Sequence, residues 1–322
     1  MQISIVMPVH GEAPYLQSAI QSVASQELED WELLIVLDRP SQTLLKNAQK
    51  YISGDCRMKL LSSVGAGIVD ALNFGVASAQ GDFIARIDSD DMMHPKRLNE
   101  QLREIVSSEK RVCVGSQMTF VDSTGAVVGH TNYPTTDKEI KSRLNYQNCI
   151  GHPSVIFRKS SFIEVGGYRK SLTGVEDYDL WLRLGRKGSI SNLDFPYTRY
   201  RISEGQYSKT FGASYTVLEN AARIDSIFPF VNSLNVEGLS TQRLAIALKA
   251  VRRSNFMRHP WKVLRTFQGD LVSKLIRVRG REIHKATKLI LCFPLTLGLL
   301  VISPTTLFKI IKSLIKDRGA AS

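Results

Sequence analysis

The stretch Gly81-Asp-Phe-Ile-Ala-Arg-Ile-Asp-Ser-Asp-Asp-Met-Met-His-Pro95 decides how this chain is read. Its apolar run Phe83 to Ile87, preceded by a Gly-Asp turn, predicts a short buried strand of a parallel sheet. Three carboxylates follow at once: Asp88, Asp90 and Asp91. His94-Pro95 then predicts a helix start, with Lys96, Arg97, Leu98, Gln101 and Leu102 on the helix. The acids therefore stand where a strand hands over to a helix, the edge of an open α/β sheet at which ligands bind. Asp-x-Asp also places two side chains on one side of an extended segment. Paired hard oxygens of that kind suit Mg²⁺ or Mn²⁺ carrying a diphosphate. A bare Asp-x-Asp also forms turns and helix caps, so the rest of the chain has to carry part of the argument.

Working outward, Ile3 to Met7, Leu33 to Leu37 and Met58 to Leu61 are further strand candidates. They alternate with helical patterns at Tyr15 to Val23, Leu44 to Tyr51 and, opened by Gly65-Ala-Gly67, Ile68 to Ala79. Strands and helices alternating at this spacing predict an α/β fold with a doubly wound, mostly parallel, Rossmann-like sheet. Beyond the helix expected at Pro95 to Ser107 the pattern changes. Val112 to Val121 and Ala126 to Thr131 predict two strands joined by a tight turn, and His152 to Phe157 another strand. Asp177 to Leu184 predicts a helix beginning on its own acids, where Glu176 and Asp177 would suit the macrodipole whatever else they do.

The chain has 322 residues, 43% of them hydrophobic, enough for a full catalytic core with an appendage. We place a catalytic domain at 1–210, divided into halves at 1–110 and 111–210, and a helical basic tail at 211–322. The net charge of +12 belongs to that tail: from Lys249 onward there are 16 Lys and Arg against 3 Asp and Glu, leaving 26 against 27 before it. A near-neutral domain with a strongly basic end points to an anionic membrane surface as partner. No zinc-finger, helix-turn-helix or RNP-like pattern accompanies the charge, so nucleic acid is not expected. Residues 289–308 contain no charged side chain but are interrupted by Pro294 and Pro304, which predicts a monotopic or re-entrant membrane contact in preference to a clean span. Four cysteines without CxxC spacing and no leader-like start fit the cytoplasmic face of the membrane.

Read together, these segments resemble family 2 glycosyltransferases, inverting nucleotide-sugar enzymes of the A-type glycosyltransferase fold. The resemblance covers about residues 1 to 205. Ile3-Ser-Ile-Val-Met-Pro-Val-His-Gly-Glu12 is similar to that family's first strand and donor loop. Asp38 stands where the family has an acid facing the nucleobase, although Asp38-Arg-Pro replaces the usual Asp-Asp-Gly-Ser. Gly67 to Asp91, through Ala71-Leu-Asn-Phe-Gly75, resembles the segment running into its Asp-x-Asp, and Glu176-Asp-Tyr-Asp-Leu-Trp-Leu-Arg183 its acceptor-side acidic motif.

The resemblance implies sugar transfer from a nucleotide diphosphate to a hydroxyl, with inversion, in cell-surface polysaccharide synthesis on a lipid-linked saccharide acceptor. It implies a donor loop of Pro8, His10, Gly11 and Glu12, with Asp38, Gly67, Asn73 and Asp88 also on the donor. Asp88 and Asp90 would hold Mn²⁺ or Mg²⁺, and Asp91 is as well suited to a structural part. Asp177 is the implied base, with Glu176 orienting it or the acceptor, and an ordinary Asp pKa of about 3.9 would leave it ionised at pH 7. His152 and Arg201 are candidates to face the diphosphate or metal, or else a satisfied imidazole and a surface cation. Arg86 is read as an ion-pair partner ahead of a donor contact, and Trp181 as core ahead of an acceptor platform. A nucleotidyltransferase would show a basic, Gly-rich phosphate loop after the first strand, and a membrane scaffold would not need two acidic clusters.

Overall fold

In chain order the elements are β1 (Ile3–His10), α1 (Leu16–Ala24), β2 (Trp31–Asp38), α2 (Gln42–Ile52), β3 (Met58–Ser62), α3 (Ile68–Ser78) and β4 (Phe83–Arg86). They are followed by β5 (Met92–Met93), α4 (Arg97–Val106), β6 (Arg111–Val121), β7 (Val127–His130), α5 (Asp137–Leu144), β8 (Ile156–Arg158), α6 (Lys159–Glu164), α7 (Glu176–Lys187) and β9 (Ser189–Arg201). This computed structural model describes residues 2–202 apart from position 64, together with Glu219 and Ala222. The chain divides into two compact units, Met1–Gly212 and Ala213–Ser322. The expectations for the basic tail and for 289–308 fall outside the described residues, among which no helix is long and apolar enough to cross a membrane.

The sheet order is β3-β2-β1-β4-β8-β6-β9-β5, with β7 paired to β6. The first four strands are mutually parallel, and β2 is buried at all eight positions, as a strand covered on both faces requires. Helix α1 buries Leu16, Ala19, Ile20 and Val23, one stripe at helical spacing, against that half. Helix α3 lies so close to the sheet that a Cβ on Gly75 would come within 2.6 Å of Val6 Cγ1. The glycine permits that approach, and the approach sets where the α3 amino terminus meets the end of β2. At the opposite edge, buried Glu32 accepts from Ser4 Oγ (2.7 Å), the Gln80 N–H (2.7 Å) and Lys59 Nζ (2.9 Å). It thereby fixes the turn that feeds β4.

Antiparallel pairing begins at β8, which joins β4 to β6, and β9 then runs parallel to β6. Two expectations are corrected in this half, and one strand goes beyond them. The helix after the acids starts at Arg97, not at Pro95, because the His94 ring takes the Lys96 N–H at 3.2 Å and Met92–Met93 pair with β9. His152 to Ser154 form a 3₁₀ turn, and only Ile156–Arg158 form the strand. Pro153 has no N–H for a ladder, and the Ser154 N–H closes on the Gly151 carbonyl at 2.9 Å. The strand beyond them is β9, 13 residues long, for which the sequence carries no expectation. Its alternation is broken at Pro196, which sits at a register shift against Gln117.

Candidate active site

The parallel register gathers the predicted donor residues on one edge. His10 is level with Asp38 and Val6 with Arg86, so the ends of β1, β2 and β4 open on the same side. Gly11, at φ +71, and exposed Glu12 continue from His10, with Pro8 half-buried on the strand. Asp38 is buried and committed: its carboxylate accepts the Gly67 N–H (2.9 Å) and Arg39 Nε (3.1 Å), with His10 Nδ1 at 3.4 Å. Burial raises its pKa, but Arg39 and the Gly67 amide more than offset this and hold it below the ordinary value. Gly67, at φ +91, caps α3 in a conformation that suits glycine.

Beyond β4, one carboxylate oxygen each from Asp88, Asp90 and Asp91 lie within 4.8 Å of one another. Arg86, itself buried, forks onto both oxygens of Asp88, which is the ion-pair reading of that arginine. Asp88 nevertheless keeps 27% of its side chain exposed, so the fork does not seal it from solvent. Asp90 is half-buried, and burial first, then the Asp88 charge, pushes its pKa up to about 6. Asp91 is buried; its Oδ1 accepts the Arg201 N–H at 2.8 Å, while Oδ2 has no hydrogen-bond partner among the described residues. Three clustered carboxylates, one with an orphaned buried oxygen, need positive charge. Their all-oxygen donor set fits a hard divalent cation.

The second acidic group begins α7. No side chain of the preceding residue caps that helix, and Glu176, Asp177 and Asp179 fill its first turn. Glu176 is buried and reaches back to the Gly174 N–H. Asp177 is only partly buried; it accepts Asn148 Nδ2 (2.9 Å) and the Tyr178 N–H (2.7 Å). The ordinary pKa expected for Asp177 is corrected, since burial raises it despite those two donors. Glu176 is pushed up to about 7, by burial and then by the Asp177 charge. Asp179, fully buried, is gripped by Arg169 and Arg183, and Arg183 also donates to the Val165 and Gly167 carbonyls at 2.7 Å each.

Both acidic groups lie within reach of the Arg86 charge. The Arg86 charge stabilises ionised Asp90 and Asp91 on one side and ionised Glu176 and Asp177 on the other. Asn73 ties the halves together mechanically: its amide donates to the Tyr168 carbonyl (2.9 Å) and accepts the Tyr168 N–H (3.0 Å). Placed among donor contacts by resemblance, Asn73 is thus a brace between α3 and the loop leading to α7. The Tyr168 hydroxyl in turn meets His152 Nε2 at 2.9 Å, and burial, with Arg86 nearby, holds that imidazole well below its ordinary pKa. One ring nitrogen of His152 is thereby tied to Tyr168. Arg201 is no surface cation: it is buried, and its guanidinium donates to the main-chain carbonyls of Asp90, Asp122 and Ser123. Trp181 is fully buried core.

Sequence reasoning missed Asn148 and Arg169, gave Asp179 and Arg183 no part beyond the acidic motif, and did not foresee the burial of Arg97. The last is wholly buried and donates to the carbonyls of Pro153 (2.7 Å), Arg86 (2.8 Å) and Val155 (3.1 Å). An arginine on the apolar stripe of α4 was the available signal for it.

The family model for glycosyl transferase family 2 matches residues 4–166. The O-antigen biosynthesis glycosyltransferase WbnJ of Escherichia coli is 31% identical over 217 residues, 66% of this chain and 84% of that protein. The putative glycosyltransferase EpsE of Bacillus subtilis is 29% identical over 191 residues, 58% of this chain and 68% of that protein. In fold, the chain is similar to S. aureus TarS 1-349 in complex with UDP-GlcNAc. The TM-score is 0.57 at 18% identity, over 83% of this chain and 81% of that one. The A-type glycosyltransferase architecture and the match over half of the chain agree, and the chain belongs to glycosyl transferase family 2.

Proposed function

We propose that this glycosyltransferase moves a sugar, with inversion, from a nucleoside-diphosphate donor to a hydroxyl of a lipid-linked saccharide in cell-surface polysaccharide assembly. The observation that carries the reading is the pairing of two acidic groups, Asp88/Asp90/Asp91 and Glu176/Asp177, around one buried Arg86. One group suits the donor's diphosphate and the other suits an incoming hydroxyl. The cell-surface context rests on the printed functions of WbnJ and its relatives. The placement at the cytoplasmic membrane face rests on the basic tail, 211–322, following a catalytic part at 1–210.

In this reading Asp90 and Asp88 would hold Mn²⁺ or Mg²⁺, and Asp88 would also serve the ribose. The bound cation would supply charge neutralisation for the departing diphosphate. The chain's own residues do the rest. The small, extended donor loop from Pro8 to Glu12 leaves backbone open to the nucleotide beside Asp38. Asp177, the more accessible of the second pair, takes the proton as the acceptor oxygen bonds to the anomeric carbon on the face opposite the leaving group. The carbon–oxygen bond to the diphosphate breaks, and its electron pair leaves with the nucleotide. Asn148 orients the Asp177 carboxylate for this, and Glu176 sets its charge environment.

A nucleotide-release assay across a panel of sugar nucleotides, with Mn²⁺ and with EDTA, tests the proposal. Release of a nucleoside diphosphate from a preferred donor, suppressed by EDTA, is expected. Release of pyrophosphate in its place would make the chain a nucleotidyl-transferring enzyme and refute it.

A further inference from the structure

Arg201 is the last residue of β9, and it reaches the acidic loop after β4 both through its main chain and through its guanidinium. Its main-chain N–H donates to Asp91 Oδ1 (2.8 Å) and its Nε to the Asp90 carbonyl (3.2 Å). Nη1 donates to the carbonyls of Asp122 (2.8 Å) and Ser123 (3.2 Å), in the turn between β6 and β7. The guanidinium carbon stacks 3.9 Å from the centre of the Tyr15 ring, and the Tyr15 hydroxyl donates to the same Ser123 carbonyl at 3.3 Å. One planar cation thus joins the acidic loop, the strand turn and Tyr15, the residue before α1. A planar, always-charged fork with several donors fits this use, and a lysine would not replace it.

We propose that Arg201 is a positioning residue. Its guanidinium ties the backbone at Asp90 to the β6–β7 turn and to Tyr15, so that the loop carrying the three carboxylates is held for a divalent cation, and it does not contact the donor; the main-chain bond to Asp91 stays in place in any side-chain variant. The inference rests on the metal-holding part of the proposed function. It separates from a simple electrostatic role by sign. A positive charge beside a cation site opposes cation binding, so an arginine acting only by charge would weaken the site, and its removal would tighten it. An arginine acting by geometry does the reverse.

The test is Mn²⁺ affinity, read from the electron paramagnetic resonance signal of free Mn²⁺, for the full chain and for Arg201→Met and Arg201→Lys. Melting temperatures confirm folding, and metal-free binding of a nucleoside diphosphate is measured alongside. Both variants are expected to bind Mn²⁺ about tenfold more weakly, with metal-free nucleotide binding within twofold of the parent. Tyr15→Leu, which leaves the guanidinium's hydrogen bonds in place, should lose about threefold and keeps the test available if Arg201→Met does not fold. Unchanged or tighter Mn²⁺ binding in Arg201→Met and Arg201→Lys overturns the inference. A tenfold loss of metal-free nucleotide binding also overturns it, by making Arg201 a diphosphate contact. Absence of Mn²⁺ binding by the parent chain overturns the metal reading itself, a distinct result.

Discussion

Replacing Glu176 by Gln should make the protein more stable at pH 8 and leave its stability nearly unchanged at pH 4.5. Glu176 is 5% exposed and titrates at about 7 instead of 4.5, because burial and then the Asp177 charge oppose its ionisation. A raised carboxyl pKa means that the folded state binds the proton more tightly than the unfolded state. The associated stability is therefore complete below pH 4.5 and is lost as the pH rises through 7. With each pH unit equivalent to about 1.36 kcal/mol, ionising Glu176 in place costs about 3 kcal/mol. Glutamine has the same shape and no charge to ionise. At roughly 2–4 °C per kcal/mol for a domain of this size, the variant should melt about 6–12 °C higher at pH 8. Thermal unfolding of parent and variant at both pH values is the assay. The same gain at both, or a loss at pH 8, would refute the assignment of a strained, ionisable Glu176. Activity provides an independent reading: the acid limb of kcat/KM, set by Glu176 and Asp177 titrating as a pair, should move to lower pH in Glu176→Gln.

Asp179→Ala removes the carboxylate that Arg169 and Arg183 share and should cost about 3–5 kcal/mol, measured by denaturant unfolding, as breaking a buried pair does. Asn73→Ala removes both hydrogen bonds between α3 and the Tyr168 backbone and should cost about 2–3 kcal/mol, with kcat falling more than KM rises as α7 loses its placement. Deleting residues 285–322 should move the protein from membrane pellet to supernatant on fractionation; an unchanged distribution would remove the tail from the membrane account.

The parallel half was legible because its signals are local. Buried strands such as Trp31–Asp38 are apolar throughout, helix α1 repeats at 3.6, and the acids follow β4 directly. The other half was less legible because long-range pairing decides it. Strand β9 crosses its own proline, β5 is two residues long and exists only against β9, and Pro153 turns a strand-like run into a 3₁₀ turn. In the site, residue types announced the carboxylates but not their environments. Asp177 carries no sequence mark of its burial, and Arg86, Asn73 and Arg201 look alike as polar side chains until their partners are known. Arg86 meets a carboxylate, Asn73 a backbone in both directions, and Arg201 three carbonyls and a ring.

The proposed function divides the labour between two acidic groups, with Asp90 serving the donor and Asp177 the acceptor proton. Calorimetric donor binding in the presence of Mn²⁺, set beside the transfer rate, tests it most directly in Asp90→Ala and Asp177→Asn. Asp90→Ala should lose donor binding and transfer together. Asp177→Asn should bind donor like the parent while transfer falls by about 10²–10⁴, the worth of a positioned base. Transfer at the parental rate in Asp177→Asn, or intact donor binding in Asp90→Ala, would contradict it.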